Sequence, residues 1–213
     1  MLNYLEMNEL TRVLEAAKKR SPKFEAMLAM MAYGGLRIGE ARQIQLATVL
    51  RDGELLRMIH LPAVITKTKR SREVWIPDPL ADILIRWLWV RTKSKVVSDL
   101  LFPGPRGKPL GSSSIEKRLK TMTDPLLGRR ITPHTLRHTF ATILARSAPI
   151  RVVQEALGHT SLASTQIYLH VNKQDIQQAS EVAFPRIDPP PKEPNYKLKN
   201  EVFKAFETAQ VKL

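Results

Sequence analysis

Between Ile131 and Tyr168 the chain carries His134, Arg137, His138, His159 and Tyr168, polar residues at spacings that packing alone does not require. Far upstream stand Arg37, in GGLRIGE, and a lysine in ITKTKRSREVWIP, either Lys67 or Lys69. Together they set several cations around one phenol. A tyrosine is a weak nucleophile at neutral pH, because its hydroxyl ionises only near pH ~10. So many positive groups make chemical sense when the group it attacks is an anion, and a phosphodiester is such a group. A guanidinium stays charged and offers two parallel donors to phosphate oxygens. His134 and Arg137 are three residues apart, so on one helix they project to one side. Imidazole adds a group that titrates near neutral pH and can move or orient a proton.

These residues need a scaffold, and the sequence predicts one that is mainly α with a small antiparallel β-sheet, an α+β class. Leu10, Val13, Leu14 and Ala17 recur at helical spacing, and Ser21-Pro22 ends that run. Phe24, Met27, Leu28 and Met31 form a second stripe, broken by Gly34-Gly35. A short helix beginning near Leu36 then puts Arg37 and Glu40 one turn apart on the same side. From Leu55 to Pro77 the pattern is β: Met58 to Leu61 and Val64-Ile65 precede a basic turn, and Val74 to Ile76 follows it. Pro79 to Arg91 reads as a helix, and Ser112 or Ser113 caps a short one carrying Ile115, Leu119 and Met122. Thr132-Pro133 starts a helix that runs to about Ser147. Ile150 to Leu157 ends at Gly158, the expected C′ residue. Ser161 can cap the next helix, with Tyr168 near its end, and a helix of about Lys173 to Val182 follows. Asp188-Pro189-Pro190-Pro191 is a stiff linker, beyond which Val202, Phe203 and Phe206 make a small apolar stripe.

The composition narrows the partner. The formal net charge is +14 over 213 residues, with a sequence pI near 10.2, a balance that suits a polyanion. A ribosomal or other RNA-binding protein would share it, so charge alone does not decide. With no cysteine, disulfides and thiolate–metal sites are excluded, and a reducing compartment is expected. No apolar run approaches a membrane span, and MLNYLEMNEL lacks the basic-then-apolar order of a signal peptide. A cytoplasmic protein is the expectation. His134 and His138, four apart, could share a zinc ion, but that helix supplies no carboxylate or cysteine to complete the sphere. No metal site is expected, and His138 reads instead as a packed or hydrogen-bonded structural residue.

From about Leu5 to Phe184 the chain resembles the catalytic domain of the tyrosine recombinases, the phage-integrase family. GGLRIGE matches the family's GLRxxE, HTLRH its H-x-x-R box and LGHTS its L-G-H-x-S box, with Tyr168 following His159 by nine residues. The order of the boxes is specific where each alone is weak; a surface Arg–Glu pair or a loop histidine beside a helix end is common. The resemblance implies that Arg37 and Arg137 clamp a scissile phosphate, braced by Glu40. It implies that His134 aids proton transfer or orientation, that His159 donates to a non-bridging oxygen, and that Tyr168 attacks. The family's lysine lies in a β-hairpin string, K-T-G-x-x-R-x-V-P-L. Lys67 is the preferred match as general acid; counting back from Pro77 selects Lys69 instead, and since both alternate to one strand face, parity does not decide between them. Lys69, Arg70, Arg72, Lys117, Lys120, Arg129 and Arg130 are then candidates for DNA-backbone contact.

The implied activity is site-specific DNA recombination through a 3′-phosphotyrosyl intermediate, with no cofactor and neither metal nor ATP. The implied partners are double-stranded DNA and further copies of the chain on it, as a tetrameric synapse. A type IB topoisomerase-like relaxing enzyme and a non-catalytic DNA-binding regulator on the same scaffold stay open. The expected organisation is a catalytic domain over 1–184 and a Pro-rich linker with a tail helix over 185–213, which would dock on a neighbouring protomer; a disordered tail or a helix folded back on its own domain stays open. The family's N-terminal helical DNA-binding domain has no counterpart here, as expected of a minimal recombinase or of a fragment.

Overall fold

The computed structural model describes residues 4–66, 69–94, 96–158 and 173–185. The fold is mainly helical with small antiparallel sheets. Helix α1 (Met7–Arg20) begins where the Glu9 carboxylate accepts the Glu6 N–H at 3.0 Å. Ser21 ends it and caps α2 (Pro22–Tyr33), whose first residue is the proline that the sequence pattern places there. From Phe24 to Tyr33 every residue of α2 is buried, so this helix is the centre of the core. It packs on α1 and on two helices from later in the chain, α5 (Asp78–Thr92) and α7 (Pro133–Ala145).

After α2 the chain must turn sharply against α7. Gly35 makes that turn with φ +64°, and a Cβ there would lie 2.5 Å from the Phe140 ring. Only glycine tolerates both the left-handed backbone and the close approach. The turn delivers Arg37 to the start of α3 (Ile38–Ala41), followed by α4 (Leu46–Val49). Strands β1 (Leu50–Arg51) and β2 (Glu54–Leu55) form a tight hairpin. Its turn is Asp52-Gly53, both at positive φ.

The second hairpin pairs β3 (Met58–Leu61) with β4 (Arg72–Trp75), in a register that sets Leu61 opposite Arg72. Here the structure corrects the expected strand at Val64-Ile65. Pro62 cannot donate to a ladder, and Ala63–Ile65 forms a 3₁₀ turn that leaves Val64 87% exposed. Lys69 adopts φ +51°. Strand alternation therefore does not run through the tip, and the parity argument relating Lys67 to Lys69 does not apply.

Helix α6 (Ser112–Leu127) is longer than the expected short helix, and Gly111 rather than a serine stands at its cap. Thr132 caps α7, accepting the Thr135 N–H at 3.1 Å. Helix α8 (Ile150–Leu157) ends at Gly158, left-handed at φ +62° as the sequence predicts. Helix α9 (Lys173–Ala183) packs on β4, α7 and α8. Phe184 closes this layer with its ring edge-on to Tyr33 at 5.3 Å and stacked on Phe140 at 5.8 Å. The expected helix carrying Tyr168 and the tail beyond Arg186 lie outside the described residues.

Candidate active site

Glu40 is the hub. It is 1% exposed and is reached by three arginines from three separate elements. Arg37, at the start of α3, donates its backbone N–H to Glu40 Oε2 at 2.8 Å and its Nη1 to Oε1 at 3.1 Å. Arg72, on β4, donates Nη2 to Oε2 at 2.9 Å. Arg137, on α7, brings Nη1 within 3.9 Å of the same oxygen. Three guanidiniums against one carboxylate leave net positive charge in a largely dry setting.

The arginines also hold the surrounding backbone. Arg137 donates to the Gly35 carbonyl and, at 2.7 Å, to the Leu157 carbonyl. Arg72 donates Nε to the Ala156 carbonyl at 3.1 Å and Nη2 to the Gly35 carbonyl at 3.3 Å. Both therefore grip the last turn of α8, immediately before Gly158 and His159. Arg137 and Arg72 are buried, whereas the Arg37 side chain keeps 24% exposure and is the most open of the three guanidiniums.

The electrostatics follow from this packing. Burial alone would raise the Glu40 pKa, but Arg72, the Arg37 N–H and Arg137 outweigh it and hold the carboxyl below the usual range. Burial, then the positive charges of Arg37 and Arg72, push Arg137 down to about 9, which leaves it charged at neutral pH. Such a cation gains from a second anion, the property wanted in a phosphate clamp.

His134 lies on α7 one turn before Arg137 and is exposed. Its ring stands edge-on to His138 at 4.2 Å. His138 is likewise exposed, which corrects the packed alternative of its expected packed or hydrogen-bonded role: it faces outward with His134 instead of into the core. Partial desolvation, followed by His138, Arg137 and Arg37, lowers the His134 pKa from 6.5. The imidazole is therefore expected to be neutral at pH 7, able to accept or donate one proton. An NMR pH titration should place its midpoint below the model-peptide value of ~6.5; a midpoint above it would mean that these cations do not act on it.

Lys69, Arg70, Lys117, Lys120 and Arg130 are exposed, the first two at the hairpin tip and the next two on α6. Arg129 is tied down, donating to Glu9 Oε2 at 2.7 Å and to the Tyr4 carbonyl at 3.0 Å. Arg72 is the clear correction among the expected DNA contacts, since its buried guanidinium is used inside the protein. Lys67, His159 and Tyr168 lie outside the described residues, although His159 directly follows Gly158. Among the described residues no group of three or more His, Asp or Glu side chains is placed to hold a metal.

Known proteins share the sequence pattern and the fold. Residues 3–175 match the profile of the phage integrase family. Tyrosine recombinase XerC of Pseudomonas syringae pv. tomato is 33% identical over 164 residues, 76% of this chain and 52% of that protein. Tyrosine recombinase XerD of Staphylococcus saprophyticus is 34% identical over 194 residues, covering 85% of this chain and 62% of its own length. The crystal structure of XerA recombinase superposes with a TM-score of 0.64 at 29% identity, over 86% of this chain and 66% of that one. XerH site-specific recombinase, bound to its difH substrate in a pre-cleavage complex, gives 0.61 at 28% identity, over 85% and 54%. The chain thus spans just over half to under two thirds of these relatives. With the arginine cluster, the His134–Arg137 helix and the profile match over most of its length, the chain belongs to the phage integrase, or tyrosine recombinase, family.

Proposed function

We propose that this chain is the catalytic part of a site-specific DNA recombinase that breaks and rejoins DNA through a 3′-phosphotyrosyl bond. The observation that carries the reading is the excess of guanidinium over carboxylate around Glu40, set beside His134 and gripping the turn that leads to His159. The Tyr168 hydroxyl gives its proton to His134, the neutral imidazole of the site, as its oxygen attacks the scissile phosphorus and forms the new P–O bond. The bond to the 5′ oxygen breaks, and that oxygen takes a proton from a lysine of the hairpin tip. Lys67 is the preferred donor over Lys69, because it stands five residues before Arg72, as in the family's string. A 5′-hydroxyl from a partner duplex reverses these steps, returning the proton to Tyr168. Each step exchanges one phosphodiester for another, so no ATP is consumed.

Arg37 and Arg137 offset the charge that builds on the phosphate, with His159 as a further donor and His134 orienting the anion. This cationic set takes the place of a divalent ion, and Lys69, Arg70, Lys117, Lys120 and Arg130 are assigned to the DNA backbone. Strand exchange needs further copies on the DNA, four in the expected synapse, with residues 185–213 reaching between neighbours.

Trapping on a nicked suicide duplex in excess EDTA tests the reading. A covalent adduct at the 3′ side of the break is expected. Cleavage that appears only on adding magnesium would point to a metal-dependent nuclease. Affinity should also be mostly phosphate contact, so log K should fall steeply with log salt. A nearly flat salt dependence would count against a backbone-tracking surface.

A further inference from the structure

We infer that Arg72 is a positioning residue of this active site: it counter-charges Glu40 so that Arg137 is not drawn into a close ion pair and keeps its charge for an anion, and it ties the hairpin to the turn before His159. The inference rests on the proposed phosphoryl-transfer reading, and three observations carry it.

First, Arg72 sits nearer the shared oxygen of Glu40 than Arg137 does, 2.9 Å against 3.9 Å. Without Arg72, that oxygen would turn to the next guanidinium within reach. Arg137 would then be drawn from the Leu157 carbonyl into an internal ion pair, and its attraction for a phosphate would fall.

Second, the Arg72 fork spans three segments. It binds Glu40 of α3, the Gly35 carbonyl of the glycine turn and the Ala156 carbonyl of α8. A lysine, with a single ammonium on a flexible stem, cannot reproduce that planar reach.

Third, the fit is close on its other side. A Cβ at Gly158 would meet Arg72 Cδ at 2.9 Å, so the glycine that turns the chain toward His159 is shaped around this side chain. Arg72 Nη1 is buried without a partner among the described residues, which makes direct anion contact the competing role.

The test compares wild type, Arg72→Gln, Arg72→Gln/Glu40→Gln and Arg72→Lys in single-turnover cleavage of a suicide duplex at saturating DNA. Arg72→Gln should slow cleavage by about 100-fold. Removing the Glu40 charge as well should recover about tenfold of that, because the competing carboxylate is gone. A residue that merely supports the fold, or one that touches the phosphate itself, would give a double variant as slow as the single or slower, and that result overturns the inference. Should Arg72→Gln not fold, Arg72→Lys decides. Cleavage about tenfold below wild type at unchanged DNA affinity supports it, and wild-type cleavage overturns it.

A second measurement is independent of cleavage. Tungstate, a tetrahedral dianion, should raise the Tm of wild type, raise that of Arg72→Gln less, and regain its effect in the double variant. Equal shifts in all three would overturn the inference. A wild-type chain that forms no DNA adduct would refute the recombinase reading and leave the tungstate series to judge Arg72.

Discussion

Replacing Tyr168 with phenylalanine is expected to abolish the covalent protein–DNA adduct, a loss on the order of 10⁴-fold or more, while leaving DNA affinity unchanged. The reason is chemical. Phenylalanine keeps the ring but removes the only atom that can form the ester with phosphorus. On the proposed reading, affinity comes from phosphate contacts spread over a chain of net charge +14, and one neutral hydroxyl adds little to it. The other tyrosines offer no substitute. Tyr33 is buried against Phe184, and burial pushes its hydroxyl up to about 12. Tyr4 donates to Glu6 at 3.0 Å. Tyr196 follows no histidine box and lies outside the described residues. Gel resolution of the adduct, followed by mapping of the linked residue, checks the expectation. An adduct at the wild-type level in Tyr168→Phe would remove Tyr168 from the mechanism.

Where the backbone obeys local chemistry, the sequence foretells it. Ser21-Pro22, Thr132-Pro133 and Gly158 each mark a helix end because the cap, the missing N–H and the left-handed φ are properties of single residues. The hairpin was harder. Its apolar run through Val64-Ile65 has strand composition, yet Pro62 stops the ladder, and one missing donor outweighs propensity.

The arginines show the same division. Arg37 and Arg137 were legible from their boxes. Arg72 stands in a run of cations, KTKRSR, and reads there as one more surface charge. A signal was present nonetheless. Arg72 shares strand parity with Val74 and Ile76, both buried, so the alternation points it inward. What the sequence could not supply is the reason that a charge is tolerated there, because Glu40 lies more than thirty residues away and the pairing is tertiary. His138 failed in the opposite direction. Its spacing from His134 is plain, but which face of α7 meets solvent depends on how α2 packs against it.

Glu40→Ala should be the most destabilising single change in the site. The carboxylate is almost wholly buried and accepts from Arg37 and Arg72. Removing it leaves two buried guanidiniums, those of Arg72 and Arg137, without their counter-charge. Breaking a buried pair from one side costs about 3–5 kcal/mol, a large part of the roughly 5–15 kcal/mol by which a domain is stable. Glu40→Gln keeps an acceptor for the Arg37 N–H and should lose less. The pH dependence has a definite sign. Glu40 titrates below 4.5 in the folded protein, so its contribution is complete above that pH and is lost as the pH falls through the lowered value. Urea unfolding at pH 7 therefore gives the full difference between wild type and Glu40→Ala, and the difference should shrink in acid. A bound phosphate or tungstate would supply the missing negative charge, so the anion should stabilise Glu40→Ala more than wild type. An unfolding free energy within about 1 kcal/mol of wild type at pH 7 would show that the arginines do not depend on this carboxylate.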